Sequence, residues 1–353
     1  MPPRPPTRRG ARKPPRPPAR GRGRVRWAIA ASVVAILILV GLAWILSGRD
    51  RSPGPITART LLAEARAALA LDRAADARVA LERASAIDPT DAEVWRGRLD
   101  LLRVLDRPIE ALRLGEAGLR AVSPRDRRGI LQATTLAVLA EPPDDEARKL
   151  LGRWIAADPD DLDARVARLA RIANNPHPDD PDRIARIAEL SEILGRDPGQ
   201  IPAREALATA LADAGDVDRG RQVLDAWPSP DRDARYDRLR GRWEIDYDHR
   251  PDQAAESFRR ALAGLPHDWK IHYGLARALR ALGQGEEAQA EAQAVARLRE
   301  RLEPTALGQR LAADLARPDD PRTLNDLAAL TESVGLAGLA QAWRNEALRP
   351  PSH

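Results

Sequence analysis

The sequence predicts an all-α protein: a stack of helix hairpins preceded by one membrane-spanning helix and a disordered basic tail. Three observations carry this. Twenty consecutive residues, Trp27 to Leu46, hold no charge. The 26 residues before them hold ten basic and no acidic side chains, with many prolines. After them, small and large apolar residues return at fixed spacings with a period of 34 or 35 residues, the length of one helix pair.

Residues 1–26 form the tail. Between residues 1 and 24 there are eight Pro and no apolar residue beyond Met1 and Ala, so the segment cannot bury a core and should sample polyproline II. Three roles fit it. It sets topology and rests on anionic lipid headgroups, each basic residue adding about 1 kcal/mol near the surface. It offers Pro-x-x-Pro spacing at Pro2–Pro5 and Pro15–Pro18 to a proline-binding domain. It touches nucleic acid as basic arms do. The first needs no partner, and nucleic acid is not the expected one.

Residues 27–47 form the predicted transmembrane helix. A twenty-residue helix is about 30 Å long, the thickness of a bilayer's hydrocarbon core. Trp27 and Trp44 stand near the interfaces, and Arg26 and Arg49 close the run. The apolar core exceeds that of a removable signal peptide and ends without an Ala-x-Ala site, so an uncleaved single-pass anchor is expected. The positive-inside rule keeps the N-terminus cytoplasmic and the C-terminal bulk extracytoplasmic, in an inner (cytoplasmic) membrane. Gly41 has no glycine four residues away, so a GxxxG dimer face is absent. Residues 48–56, with Gly48, Pro53, Gly54 and Pro55, read as a linker.

The net charge of +5 is an average of unlike parts. The tail carries +10, so residues beyond it carry −5, and the positive total is no nucleic-acid signature of the folded part. There is no Cys, which excludes disulfides, thiolate catalysis and cysteine-ligated metal centres. Arg outnumbers Lys 54 to 3, a bias typical of GC-rich bacterial genomes, and one Phe with three Tyr leaves Ala, Leu, Val and Ile to fill the core. That composition suits helix-on-helix packing better than sheets.

Residues 57–348 form the repeat region, and 349–353 a short C-terminal tail. Ala77, Leu81, Ala84 and Pro89 are spaced four, three and five apart, as are Ala147, Leu151, Trp154 and Pro159, and Ala254, Phe258, Ala261 and Pro266. A second set leads each unit: Leu207, Ala208, Leu211 and Gly215 before Gly220; Leu275, Ala276, Leu279 and Gly283 before Ala288; Leu327, Ala328, Thr331 and Gly335 before Ala340. Each unit reads as an antiparallel helix pair. The Gly makes the tight turn, the Ala lets backbones approach, a large residue four later fills the gap between hairpins, and the Pro ends the unit. The units are roughly 58–91, 92–124, 125–159, 160–198, 199–231, 232–267, 268–302 and 321–348. The second has Gly115 and Gly118 where Leu or Ala is expected, so its second helix should pack weakly. Asn174 to Asp182 should loop out, residues 304–316 should add a helix, and the final pair should act as a cap.

This pattern resembles the tetratricopeptide repeat family. The resemblance implies a right-handed superhelical solenoid whose inner groove, lined by the first helix of each unit, binds a protein or peptide partner. It is similar to anchored bacterial repeat proteins that serve envelope complexes as scaffolds. Candidate partner-binding residues on first helices are Arg66, Arg103, Arg168, Arg171, Tyr273, Arg277 and Arg280, whose guanidinium groups could grip acidic segments. The lysine and asparagine clamp by which some members hold a terminal carboxylate is not evident, since Leu62 takes one cationic place.

No enzyme is expected. The sequence has no GxSxG, P-loop or GxGxxG motif. His249 with Asp246, Tyr247, Asp248 and Asp252 is the best candidate for a metal or catalytic cluster, but it falls between helices, where capping uses the same residues. Asp158, Asp160, Asp161 and Asp163 lack the central Gly and distal Glu of a calcium loop. No metal and no cofactor is therefore assigned.

Overall fold

The computed structural model describes residues 56–140, 142–174, 182–229, 233–315 and 320–349. The predicted tail, membrane span and linker, the insertion at 175–181 with its His177, and residues 350–353 lie outside the described residues. Among the described residues no helix is long and apolar enough to cross a membrane. Thr57–His353 forms one compact unit, and its described residues hold 17 helices and no strand.

In chain order these are α1 (Ala58–Ala70), α2 (Ala74–Ile87), α3 (Ala92–Val104), α4 (Pro108–Ala121), α5 (Arg127–Leu139), α6 (Asp144–Ala157), α7 (Leu162–Asn174), α8 (Arg183–Arg196) and α9 (Ile201–Asp213). They continue with α10 (Val217–Asp225), α11 (Ala234–Asp246), α12 (Pro251–Gly264), α13 (Trp269–Ala281), α14 (Gly285–Arg301), α15 (Pro304–Leu315), α16 (Pro321–Ser333) and α17 (Ala337–Ala347). The extra helix expected at 304–316 is α15.

Local chemistry sets the ends. Asp91, Asp233, Asp268 and Asp320 accept backbone N–H bonds as N-caps of α3, α11, α13 and α16. Pro108, Pro251 and Pro321 occupy first-turn positions that donate no helix bond. Gly215, Gly283 and Gly335 turn the chain with φ of +81°, +76° and +83°. Asp72, Asp106 and His249 take the same left-handed place in the α1–α2, α3–α4 and α11–α12 turns. His249 is thus a turn residue.

Phe258 of α12 fills the gap between hairpins as its spacing predicts. Its ring lies against α11 and α13, where Gly241 and Gly274 leave room: an added Cβ would stand 2.9 Å and 2.4 Å from ring carbons.

Three expectations fail. Gly115 and Gly118 do not weaken α4. Both are buried, and α4 packs along α5. A Cβ on Gly115 would stand 2.1 Å from Thr134 Oγ1, and one on Gly118 3.2 Å from Ile130 and Trp95. The glycines allow a backbone approach that larger residues would block.

The third unit is also not one closed hairpin. Its helices bury their faces in different cores. Ile130, Leu131 and Val138 of α5 join Trp95 and Leu99 of α3. Leu151 and Trp154 of α6 join Leu61, Leu81 and Leu101 of α1 to α3. Pro142 and Pro143 between them cannot continue α5.

The final pair is not a solvent-facing cap. Leu324, Leu327, Leu339 and Trp343 of α16 and α17 share the core of α3 and α5, with Leu298, Leu307 and Leu311 of α14 and α15. The Trp343 indole N–H donates to Thr135 Oγ1 at 3.0 Å, both side chains fully buried. The α16–α17 turn also meets the α12–α13 turn, since a Cβ on Gly335 would stand 2.7 Å from Pro266 Cβ. The stack therefore closes on itself.

Candidate functional site

The stack holds a partly open cavity of about 880 Å³. Its wall comes from the α3–α4 turn, the end of α5, the first helices α9, α11 and α13, and the α14–α15 junction. The volume lies in the range of sites for small ligands or short segments.

The α3–α4 turn reaches across the stack. Arg107 pairs with Asp163 in the first turn of α7 and donates to Gln200 Oε1, ahead of α9, at 3.1 Å. Glu110 accepts from Arg235, in the first turn of α11, at 2.9 Å. Ile109 packs against the core of α12 and α13. The chain's own residues 107–110 thus lie against the starts of three first helices. The open groove implied by the family resemblance is here partly filled.

Of the seven candidates, Arg103, Tyr273 and Arg277 line the cavity. The other four do not. Arg66 pairs with Glu93 at the surface. Arg168 meets Glu189 at 3.4 Å, and buried Arg171 meets Asp144 at 3.4 Å. Arg280 is exposed in the last turn of α13. Three of the aspartates weighed as a calcium loop are engaged by arginines: Asp160 by Arg196, Asp161 by Arg78, and Asp163 by Arg78 and Arg107. Asp248 holds Arg221, while Asp246 holds Arg277 and Arg242, so two carboxylates of the cluster around His249 are engaged in ion pairs.

Sequence reading missed Arg107, Arg238, Arg242, Lys270 and Arg299, which also line the cavity. Two signals could have found some of them. Lys270, Tyr273 and Arg277 form one helical stripe at i, i+3 and i+7, and Arg238, Arg242 and Asp246 another at i, i+4 and i+8. Arg299 has no such sign. It reaches the site from α14, its guanidinium 5.1 Å from the centre of the Trp269 ring.

The wall is electrically ordered. Arg238 bridges Glu205 and Asp268, Arg242 meets Asp213 at 2.7 Å, and Arg277 meets Asp246 at 2.8 Å. Burial raises the pKa of Asp106, more than nearby Arg171, Arg238 and Lys270 lower it. Burial works against the Asp268 anion, but Arg238 and the Lys270 amide hold its pKa below the usual range. Burial pushes His267 down, toward the neutral imidazole.

The fold is a helical-repeat scaffold that surrounds a cavity. More particularly, residues 185–242 and 248–315 match the family model for the tetratricopeptide repeat. Those segments lie after the diverted helices α4 and α5.

No curated protein matches the chain. Among solved structures, it is similar to the Cut9–Hcn1 hetero-tetramer of the APC/C at 15% identity and TM-score 0.42, covering 82% of this chain and 52% of that one. It spans about half of that protein's length. It is similar to the human IFIT1 dimer with PPP-AAAA at 14% identity and TM-score 0.39, covering 83% and 73%. It is also similar to a tetratricopeptide repeat protein from Parabacteroides merdae at 14% identity and TM-score 0.24, covering 83% and 99%.

Proposed function

We propose that the chain is a membrane-anchored scaffold that holds a segment of a partner protein in the cavity, as an ancillary factor of an envelope complex. The observation that carries this is the lining: Arg103, Tyr273 and Arg277, from helices far apart in sequence, converge there with the apolar wall of Val138, Leu139 and Leu307. A mixed apolar and polar concavity is what binding needs.

The test is site-specific photo-crosslinking. A photoreactive residue at Tyr273, in the full chain in its native membrane, should give a defined set of adducts. The same group at exposed Val79 of α2 should not give that set. Identical adducts from both positions would refute the cavity as the binding site.

The membrane part rests on residues 27–46, with the tail cytoplasmic and the repeat unit extracytoplasmic. The absence of native Cys allows a direct check. Ser52→Cys should react with a membrane-impermeant maleimide added outside spheroplasts, and Thr7→Cys only after lysis. The reverse pattern would invert the topology, and labelling of neither in intact spheroplasts would place the repeat unit inside.

A further inference from the structure

Two histidines at the α12–α13 turn have opposite needs. His272, in the first turn of α13, meets an acceptor at each ring nitrogen. Its Nδ1 lies 2.6 Å from Glu291 Oε2 of α14, and its Nε2 lies 3.0 Å from the Pro266 carbonyl oxygen. A neutral imidazole has one N–H and can serve only one of these oxygens. The imidazolium serves both, so the geometry selects the charged ring. His267 stands in the turn itself, and its Nδ1 is buried without a hydrogen-bond partner. A second ring proton would bring a charge to a place that offers this nitrogen no acceptor, so the neutral ring is favoured.

The turn matters beyond its own hairpin. Pro266 stands against the α16–α17 turn, at the contact with Gly335 that closes the stack. His267, Asp268 and Trp269 line the cavity. His272 therefore ties α14 to the segment that joins the closing contact to the cavity wall.

Other charges on the elements around the turn are paired with one another. Asp268 and Glu205 of α9 hold Arg238 of α11. Glu287, one turn before Glu291 on α14, meets Arg259 of α12 at 3.1 Å. Glu332 of α16 holds Arg344 of α17, and Lys270 is exposed. Burial works against the His272 cation, but the bonds to Glu291 and Pro266 and the charge of Asp268 outweigh it and raise its pKa. Burial lowers the pKa of His267, against Asp268 and aided by Arg238.

We propose that His272 and His267 make the α12–α13 turn a pH-tuned junction, held best when His272 carries two ring protons and His267 one, and loosened when pH moves either way. This stands apart from the reading of the partner. The His272 contribution is fully present below the ordinary imidazole value of 6.5 and is lost as pH rises through the ring's own, higher value. For His267 the sign reverses. Below 6.5 the unfolded chain takes up that proton first, so stability falls with pH until the ring's own, lower value is passed.

The experiment uses the full chain in detergent micelles from about pH 5.5 to about pH 8, the window in which imidazoles titrate. Deuterium exchange at the imidazole C2 position, read by mass spectrometry with fragmentation, titrates each ring. His272 should have its midpoint above 6.5 and His267 below it. In urea the unfolding midpoint should be highest near pH 6.5, and the unfolding constant should change by up to about tenfold per pH unit on either side. The His272→Gln chain should lose the alkaline limb, and the His267→Gln chain the acid limb. Glu291→Gln, which keeps an acceptor and removes the charge, should bring the His272 midpoint down.

Two rings that titrate together in the parent would overturn the junction, and that measurement needs no variant to fold. So would a stability difference between the parent and the His272→Gln chain that stays constant from about pH 6.5 to about pH 8, across which a raised imidazole must lose its proton.

Discussion

Trp343→Ala should destabilise the repeat unit by about 3–5 kcal/mol, among the largest losses of any single truncation in the chain. Trp343 is fully buried in the core shared by α3, α5, α16 and α17, and its N–H is satisfied by Thr135. Removing the ring leaves a cavity where the final helix pair meets α3 and α5, and strands the Thr135 hydroxyl. The check is chemical denaturation of the full chain followed by circular dichroism. Thr135→Val, which keeps the shape and orphans the indole donor, should cost about 1–3 kcal/mol. A loss under about 1 kcal/mol for Trp343→Ala, well below the usual range, would mean that the final pair does not seal α5.

The second large effect changes sign with its background. Phe258→Ala should cost about 3–5 kcal/mol, since the ring is buried and bounded by glycines of α11 and α13. Gly274→Ala alone should also destabilise. Alanine favours a helix by about 1 kcal/mol, but its methyl would stand 2.4 Å from the Phe258 ring, and overpacking costs about 1–3 kcal/mol. In the Phe258→Ala chain the clash is gone, so Gly274→Ala should become stabilising. A double-mutant cycle reads this as a coupling energy. Additive effects would show that the ring does not occupy the gap between the glycines.

That pair also shows what was legible in the sequence. Phe258 stands at the position where Leu81 and Leu151 stand in other units, so its role as gap filler followed from spacing alone. Gly215, Gly283 and Gly335 marked turns because a left-handed backbone selects glycine. Gly115 and Gly118 misled because a missing side chain has two meanings, a poorly filled face or a close approach, and only the neighbour decides. Here the neighbour is Thr134 on α5.

Closure of the stack leaves no periodic trace. Thr135 and Trp343 are 208 residues apart, and each reads locally as an ordinary inward residue. The site divides in the same way. Arg103, Tyr273 and Arg277 were legible as first-helix positions. Arg299 and His267 were not, because they reach the cavity from α14 and from the α12–α13 turn. Arg66, Arg168, Arg171 and Arg280 share the residue type and the helix class of the lining residues. Their different fates depend on which carboxylate lies opposite, which the periodicity does not encode.

The bond between Thr135 and Trp343 has a consequence for synthesis. A linear array can bury each unit on the one just made. Here α5 is complete about 200 residues before its cover exists. At roughly 5–20 residues per second, ribosomes leave the apolar face of α3 and α5 bare for about 10–40 s. During that interval the half-made chain presents Thr135 and the side of α5 that Trp343 later covers to anything nearby. Its yield in the cell should depend on a holding chaperone far more than the stability of the finished ring would suggest.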